Sequence, residues 1–72
     1  MLQKKLGQRI AELRRLRELT QEQLAEAVGC TVGFISLVER GVNAPSVAGL
    51  EKLAKVLKVE VKELFNFEEK KR

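Results

Sequence analysis

The chain has 72 residues and a formal net charge of +4, with 44% hydrophobic and 33% charged residues. This length fits one small domain, and it excludes a catalytic cleft between two domains or a fold built on a large sheet. The sequence contains no histidine and no aspartate, which are among the commonest acid–base groups and metal ligands. We therefore expect a protein that is not an enzyme and that holds no metal or cofactor.

The sequence also indicates a cellular compartment. No apolar run approaches the roughly 18 residues that a membrane-spanning helix needs, and Met1 leads into Lys4 and Lys5 without the apolar block of a signal peptide. Cys30 is the only cysteine, so no internal disulfide can form, whereas small secreted domains usually carry several. These features predict a cytoplasmic protein that does not bind membranes.

The first predicted element is a helix from about residue 2 to Leu19. Its apolar residues recur at spacings of three and four, which places them on one helix face. They are Leu2, Leu6, Ile10, Leu13 and Leu16. Residues 1–20 carry a net charge of +4, whereas residues 21–40 carry a net charge of −2. A basic segment of this kind is compatible with binding to nucleic acid.

A second, shorter helix is predicted to begin after Thr20. Thr20 and Gln23 have the spacing of a capping box, in which each side chain accepts a hydrogen bond from the other residue's backbone N–H group. Gly29 is predicted to end this helix, because glycine readily adopts the left-handed conformation of helix C-termini. Thr31 is then predicted to cap a third helix, which ends at Gly41.

The second and third helices and the tight turn between them are typical of a helix-turn-helix unit, in which two short helices cross at a steep angle. In this arrangement the third helix buries Ile35 and Val38. Its opposite face is left free to contact another molecule, and that face consists of Val32, Gly33, Ser36 and Leu37.

Two further helices are predicted in the remaining chain, the first of them capped by Ser46. Its inward positions are Val47, Leu50, Leu53, Ala54 and Leu57. Lys58 follows where a terminating glycine is expected, so the sequence predicts a left-handed residue that is not glycine. A fifth short helix is predicted near Val61 to Phe65. We expect the domain to span residues 1–67 and the charged tail, residues 68–72, to fray.

From about residue 4 to residue 66, these motifs and their order resemble the Cro- and lambda-repressor-type helix-turn-helix family, also called the xenobiotic-response-element family. The matching stretches are Leu6-Gly7-Gln8-Arg9-Ile10, Leu13-Arg14, Leu19-Thr20-Gln21-Glu22-Gln23-Leu24-Ala25, Phe34-Ile35-Ser36, Glu39-Arg40-Gly41, Pro45-Ser46, Leu53-Ala54 and Glu63-Leu64-Phe65. The resemblance implies an all-α fold, a compact five-helix bundle whose second and third helices form the helix-turn-helix. The chain is also similar to small phage-type repressors and to the controller proteins of restriction–modification systems.

The resemblance assigns base contacts to the start of the third helix, which enters the major groove in this family. The residues of this chain at those positions are Val32, Gly33, Ser36 and Leu37. Val32 and Leu37 can contact thymine methyl groups, but with Gly33 they lack groups for bidentate hydrogen bonds. We therefore expect modest base discrimination that leans on phosphate contacts and on DNA shape.

The phosphate contacts that the resemblance implies lie around the third helix. Gln21 stands at the first turn of the preceding helix, where free backbone N–H groups favour an anion. The complete set is Gln21, Thr31, Phe34, Arg40, Asn43 and Ser46. Arg14 and Glu39 match the family's internal ion pair between the first and third helices, and we assign that pair a structural role.

The resemblance also places a two-fold dimer contact around the fifth helix. A domain of this size can hide only some of the apolar residues near its C-terminus, so the others are expected to form an apolar edge. The predicted dimer interface consists of Val61, Leu64, Phe65 and Phe67. Such a dimer would set two recognition helices about 34 Å apart, one turn of DNA.

Together these features predict a sequence-specific regulator of transcription that binds double-stranded DNA. We expect a repressor that acts as a homodimer on a palindromic operator, without a small-molecule ligand. The alternative is a protein-interaction module, such as an antitoxin-type helix-turn-helix that binds a partner protein. The apolar Val32 and Leu37 and the net negative charge of residues 21–40 favour this alternative. Salt dependence distinguishes the two, because only binding to DNA falls steeply with salt.

Overall fold

A computed structural model describes residues 1–67, and its regular structure over that range is entirely helical. The elements are α1 (Leu2–Leu16), α2 (Gln21–Val28), α3 (Val32–Glu39), α4 (Val47–Leu57) and a 3₁₀ helix (Val61–Phe65). The predicted all-α fold is confirmed, but the count of five helices is not, because the last element is a 3₁₀ helix. The tail predicted to fray lies outside the described residues. None of the helices within residues 1–67 is long and apolar enough to cross a membrane.

Side-chain caps begin the three central helices, as the sequence predicts. The hydroxyl of Thr20 accepts a hydrogen bond from the backbone N–H of Gln23 at 3.0 Å, and the Gln23 side chain accepts one from the Thr20 backbone N–H at 2.8 Å. Thr31 and Ser46 cap α3 and α4 in the same way, each accepting from the backbone N–H three residues later. Each cap satisfies a backbone donor that the helix itself leaves unpaired.

The end of α1 differs from the prediction, because the helix stops at Leu16 rather than at Leu19. Glu18 adopts the left-handed conformation, with φ of 58°. The backbone N–H groups of Glu18 and Leu19 then bond to the carbonyls of Arg15 and Arg14, at 2.9 and 3.1 Å. This is the Schellman pattern of helix termination, which usually uses glycine. A glutamate at that position gives no sequence signal for the stop.

The left-handed residue predicted at the end of α4 is confirmed. Lys58 has φ of 62° and ψ of 43°. Arg17 stabilises this helix end, because its Nε donates to the carbonyl of Leu57 at 2.9 Å and its Nη2 to the carbonyl of Lys58 at 3.4 Å. A cation at a helix C-terminus also interacts favourably with the helix dipole.

A single apolar core lies between the four α-helices and the 3₁₀ helix. Its buried members are Leu6, Ile10, Leu13, Leu24, Ala25, Ile35, Val38, Leu53, Ala54, Leu57 and Leu64. Three residues predicted to face inward are exposed instead: Leu2 (61%), Leu16 (70%) and Val47 (76%). Each is the first or last residue of its helix. The neighbouring elements cover the middle of these helices but do not reach their ends.

A close approach of α1 to α3 positions the helix-turn-helix on the body of the domain. A Cβ atom added at Gly7 would collide with the backbone carbonyl oxygen of Val38 and lie 2.7 Å from that of Glu39. Only glycine therefore allows this crossing. The N-terminal half of α1 continues along the turn after α3, where Gln3 Nε2 donates to the carbonyl of Gly41 at 3.0 Å.

Candidate nucleic-acid interface

Helices α2 and α3 form the predicted helix-turn-helix, with Gly29 left-handed at φ of 90° in the turn between them. Helix α3 presses Ile35 and Val38 into the core, each about 1% exposed. At its N-terminus Val32, 42% exposed, and Gly33 lie at the surface. Of the four predicted base-contacting residues, these two are exposed, whereas Ser36 and Leu37 are half-buried.

An ion pair joins α1 to the last residue of α3. Arg14 Nε donates to Glu39 Oε2 at 2.7 Å and Arg14 Nη2 donates to Glu39 Oε1 at 3.2 Å, which is a bidentate arrangement. Arg14 Nη1 also donates to the backbone carbonyl of Leu19 at 2.7 Å. The two side chains that the family resemblance pairs are thus in direct contact, and Glu39 is 9% exposed.

Gln21 joins this pair through a bond that sequence reasoning did not anticipate. Its Nε2 donates to Glu39 Oε1 at 2.9 Å. The two residues are 18 positions apart on different helices, so no spacing rule within one helix could have indicated the contact. As a result, the side chain proposed to meet a phosphate is held in place by the carboxylate of the ion pair.

The start of α2 offers backbone donors to an anion. The N–H groups of Gln23 and Leu24 are bonded to the side chain and the carbonyl of Thr20, respectively. Within residues 1–67, the N–H groups of Gln21 and Glu22 have no hydrogen-bond acceptor. Free N–H groups at a helix N-terminus, together with the helix dipole, favour a phosphate group.

The turn between α3 and α4 holds two further predicted phosphate contacts, Arg40 and Asn43, and both are exposed. The backbone N–H groups of Val42 and Asn43 both donate to the carbonyl of Leu37, at 2.9 and 3.3 Å. Asn43 can therefore reach a phosphate only through its side-chain amide.

Thr31 and Ser46 retain donors, whereas Phe34 does not. The hydroxyl oxygens of Thr31 and Ser46 act as caps, but each hydroxyl keeps its own proton to donate. The backbone N–H of Phe34 is bonded to Thr31, and its ring packs against the core. Phe34 thus has no free donor with which it could bind a phosphate.

The C-terminal residues predicted to form a dimer interface divide into two groups. Leu64 is 0% exposed within the single chain, so its predicted role at an interface is wrong: the side chain already fills the core. Val61 and Phe65 are 39% and 37% exposed, and Phe67 is half-buried. The rings of Phe65 and Phe67 meet edge-to-face, with centroids 6.3 Å apart.

Arg9 fixes the position of the 3₁₀ helix against α1. Its Nε donates to the backbone carbonyl of Glu63 at 2.9 Å, and its Nη2 to Glu63 Oε1 at 3.3 Å. Its third contact is Glu12 Oε1, at 3.1 Å from Nη1. Arg9 therefore has a structural role, which the sequence did not indicate.

Cys30 lies half-buried in the turn between α2 and α3. Burial raises the pKa of its thiol above the ordinary value. The nucleophilic form of cysteine is the thiolate, so a raised pKa makes this residue less reactive near neutral pH.

Comparison with known proteins identifies the family. A family model described as "Helix-turn-helix" matches residues 10–64. The chain belongs to the XRE-type helix-turn-helix family. The regulator is 40% identical over 58 residues to an uncharacterized HTH-type transcriptional regulator of Bacillus subtilis, YazB, covering 81% of this chain and 84% of YazB. Its relatives also include the immunity repressor of Bacillus phage phi105, 39% identical over 56 residues and covering 78% of this chain.

Solved structures agree with this assignment. The regulator is 42% identical to the restriction–modification controller protein C.AhdI of Aeromonas hydrophila, with a TM-score of 0.83 over 86% of this chain and 94% of that one. It is 35% identical to the biofilm regulator SinR in complex with DNA, with a TM-score of 0.79 over 85% of this chain and 98% of that one. The regulator spans most of YazB but only 39% of the phage repressor and 35% of PuuR from Escherichia coli.

Proposed function

We propose that this transcriptional regulator binds a palindromic operator as a homodimer and represses transcription. The observation that carries the proposal is that Gln21 and the free N–H groups at the start of α2 lie beside the end of α3, whose first residues, Val32 and Gly33, are exposed. The helix-turn-helix thus presents anion donors next to the end of α3 and exposed residues at its start, and the residues at the start of this helix are those that contact base edges in the major groove.

Base readout in this proposal depends on shape and apolar contact. Val32 lies at the exposed start of α3, and Leu37 is half-buried farther along the helix. Both can contact thymine methyl groups, and the Ser36 hydroxyl can donate to or accept from a base edge. Gly33 leaves room for the backbone of α3 to approach the DNA. With no bidentate pair at these positions, specificity also depends on DNA deformability.

Phosphate contacts supply most of the affinity. We assign them to Gln21, Arg40 and Asn43, with the capping hydroxyls of Thr31 and Ser46 as further donors. Each phosphate that is neutralised releases counterions, so the observed affinity falls as salt rises.

The dimer forms through apolar residues at the C-terminal end of the domain, the exposed Val61 and Phe65 and the half-buried Phe67. A relative named as a repressor, the immunity repressor of Bacillus phage phi105, supports the choice of repression over activation. A two-fold dimer places two copies of α3 on successive major grooves of a palindromic site.

The test is selection of a random duplex library on the purified protein at two salt concentrations. We expect enrichment of a two-fold symmetric site whose half-sites lie about one helical turn apart, with retention that weakens as salt rises. Retention without any enriched sequence would contradict sequence-specific binding. A protein that retains no DNA at either salt concentration would favour the protein-interaction alternative. An enriched site without two-fold symmetry would contradict the dimeric operator.

A further inference from the structure

A cleft of about 300 Å³ opens where α1, the start of α2 and the end of α3 meet. The polar side chains that line it are Gln8, Arg15, Gln21, Ser36, Glu39 and Arg40. Three of them, Gln21, Ser36 and Arg40, belong to the proposed interface with DNA. Gln8 and Arg15 belong to α1, which contributes no residue to that interface.

The cleft carries two positive charges that nothing in the described chain neutralises. Glu39 is the only acidic side chain in its lining, and its two oxygens already accept hydrogen bonds from Arg14 and Gln21. Arg15 and Arg40 are exposed, and within residues 1–67 neither side chain takes part in an ion pair or hydrogen bond. The other guanidinium groups of α1, those of Arg9 and Arg14, are by contrast engaged, as is that of Arg17, which follows α1 directly.

The packing of α1 explains why Arg15 faces this cleft. Gly7 lies in contact with the end of α3, and Lys4, Gln8 and Arg15 follow the adjacent edge of the helix at spacings of four and seven residues. At one end of that edge Lys4 packs on the turn after α3, since a Cβ on Gly41 would lie 2.8 Å from the Lys4 Cα. The edge therefore runs beside α3 and brings Arg15 to the cleft.

We propose that Arg15 is a further DNA-contacting residue, which binds a backbone phosphate at this cleft together with Arg40. The inference rests on the proposed function, because it assumes that the helix-turn-helix docks on duplex DNA. A guanidinium group presents a planar fork of donors that matches the oxygens of a phosphate. Gln21, whose backbone N–H group is free, lines the same cleft, and a free N–H group at a helix N-terminus favours the same anion. The DNA footprint then extends from the helix-turn-helix onto α1.

The test compares Arg15→Gln with Lys55→Gln by salt titration of binding to the enriched duplex and to a scrambled duplex. Both substitutions remove one positive charge from an exposed helical position, but Lys55 lies on α4 and does not line the cleft. We expect Arg15→Gln to weaken binding to both duplexes by the same factor. It should also lower the slope of log K against log salt by about 0.9, the share of one phosphate contact. Lys55→Gln should leave the slope unchanged.

Two further measurements keep the outcomes distinct. Arg15→Lys retains the charge and should restore most of the slope, and thermal unfolding of each variant shows that the domain remains folded. Equal slopes for Arg15→Gln and Lys55→Gln, with a wild-type protein that binds DNA in a salt-dependent way, would overturn the role of Arg15 and leave the proposed function intact. Absence of salt-dependent binding by the wild-type protein would overturn both.

Discussion

Gln21, the first residue of α2, donates a hydrogen bond of 2.9 Å to Glu39, the last residue of α3. Because Glu39 also holds Arg14 of α1, one buried carboxylate connects all three helices around the proposed DNA interface. The ion pair therefore does more than stabilise the packing of α1 against α3. It sets the orientation of a side chain that lies at the surface of the site.

Replacement of Glu39 by glutamine should destabilise the domain. The substitution keeps the side-chain shape but removes the negative charge opposite Arg14, whose side chain is only 11% exposed. Breaking a buried ion pair by removing one partner costs about 3 kcal/mol or more. We expect a loss of that size in the free energy of unfolding, measured by urea denaturation.

Glu12→Gln is the matched control for that experiment. Glu12 also faces an arginine, Arg9, at 3.1 Å, but its side chain is 47% exposed. An exposed pair contributes only about 0–1 kcal/mol. Similar losses for the two variants would contradict a special contribution from the buried pair.

Two glycines in helices should respond to alanine in opposite ways. At Gly7 a new Cβ would collide with the carbonyl of Val38, so α1 and α3 must separate, and we expect Gly7→Ala to cost about 1–3 kcal/mol. At Gly33 the nearest atom to a new Cβ is the hydroxyl oxygen of Thr31, 4.0 Å away. Gly33→Ala should therefore stabilise α3 by up to about 1 kcal/mol, from helix propensity alone.

Urea denaturation of both variants checks this pair. A stabilising Gly7→Ala would show that the close crossing of α1 and α3 is not needed in solution. A destabilising Gly33→Ala would show that the start of α3 is strained in a way that its open surroundings do not indicate.

Replacement of Lys58 by glycine should raise the stability of the domain. A residue other than glycine loses about 1–2 kcal/mol in the left-handed conformation, and Lys58 has φ of 62° there. The Lys58 contact to Arg17 uses the backbone carbonyl, which glycine retains. After the greater entropy of glycine in the unfolded chain is subtracted, we expect Lys58→Gly to stabilise the domain by about 0.5–1 kcal/mol.

The control is Lys55→Gly, three residues earlier within α4. In a helix interior glycine is about 1 kcal/mol less favourable than alanine, so this variant should be less stable than the wild-type protein. Thermal unfolding midpoints that move in the same direction for both variants would contradict the argument from backbone conformation.

The proposed dimer interface can be tested without disturbing the core. Phe65→Glu replaces a phenyl ring that is 37% exposed in the single chain with a charged side chain. It should therefore dissociate a dimer that forms there while leaving the fold intact. Sedimentation velocity should then show a monomer. A dimer that persists in Phe65→Glu and in Val61→Glu would exclude this surface as the interface.

Leu64 is unsuitable for that test, because it is fully buried and a charge there would unfold the domain. Leu64→Ala instead measures how much the buried Leu64 side chain contributes to the free energy of unfolding. Truncation of a buried leucine costs about 2–5 kcal/mol, and we expect a loss in that range from urea denaturation. A loss below about 1 kcal/mol would mean that the 3₁₀ helix packs loosely in solution.

The sequence predicted those features of the fold that depend on neighbouring residues. The caps at Thr20, Thr31 and Ser46 and the left-handed Lys58 follow from local rules, and the structure confirms all four. The end of α1 was missed because Glu18 takes a conformation that local rules reserve for glycine. The burial of Leu64 could not be separated from that of its apolar neighbours, because which of them the core accommodates depends on how α1 and α4 pack.

In the candidate site, too, the sequence predicted what local patterns determine and missed what depends on the packing of the helices. The pattern of the helix-turn-helix indicated which residues lie at the start of α3. The bond from Gln21 to Glu39 and the cleft beside Arg15 depend instead on the angle at which α1 crosses α3. That angle is set by the contact of Gly7 with the backbone of α3. A glycine within a helix does not by itself indicate which element packs against it.

Substitutions at Gln21 and Leu37 should separate affinity from specificity. Gln21→Ala removes the proposed phosphate donor, so binding to every sequence should weaken by a similar factor. Leu37→Ala removes the proposed apolar contact in the groove, so preference should relax at one base pair, by about 1 kcal/mol. Library selection with each variant, compared with the wild-type protein, measures both effects. A preference that is unchanged at every base in Leu37→Ala would remove Leu37 from the reading surface, and a sequence-dependent loss in Gln21→Ala would mean that Gln21 contacts bases.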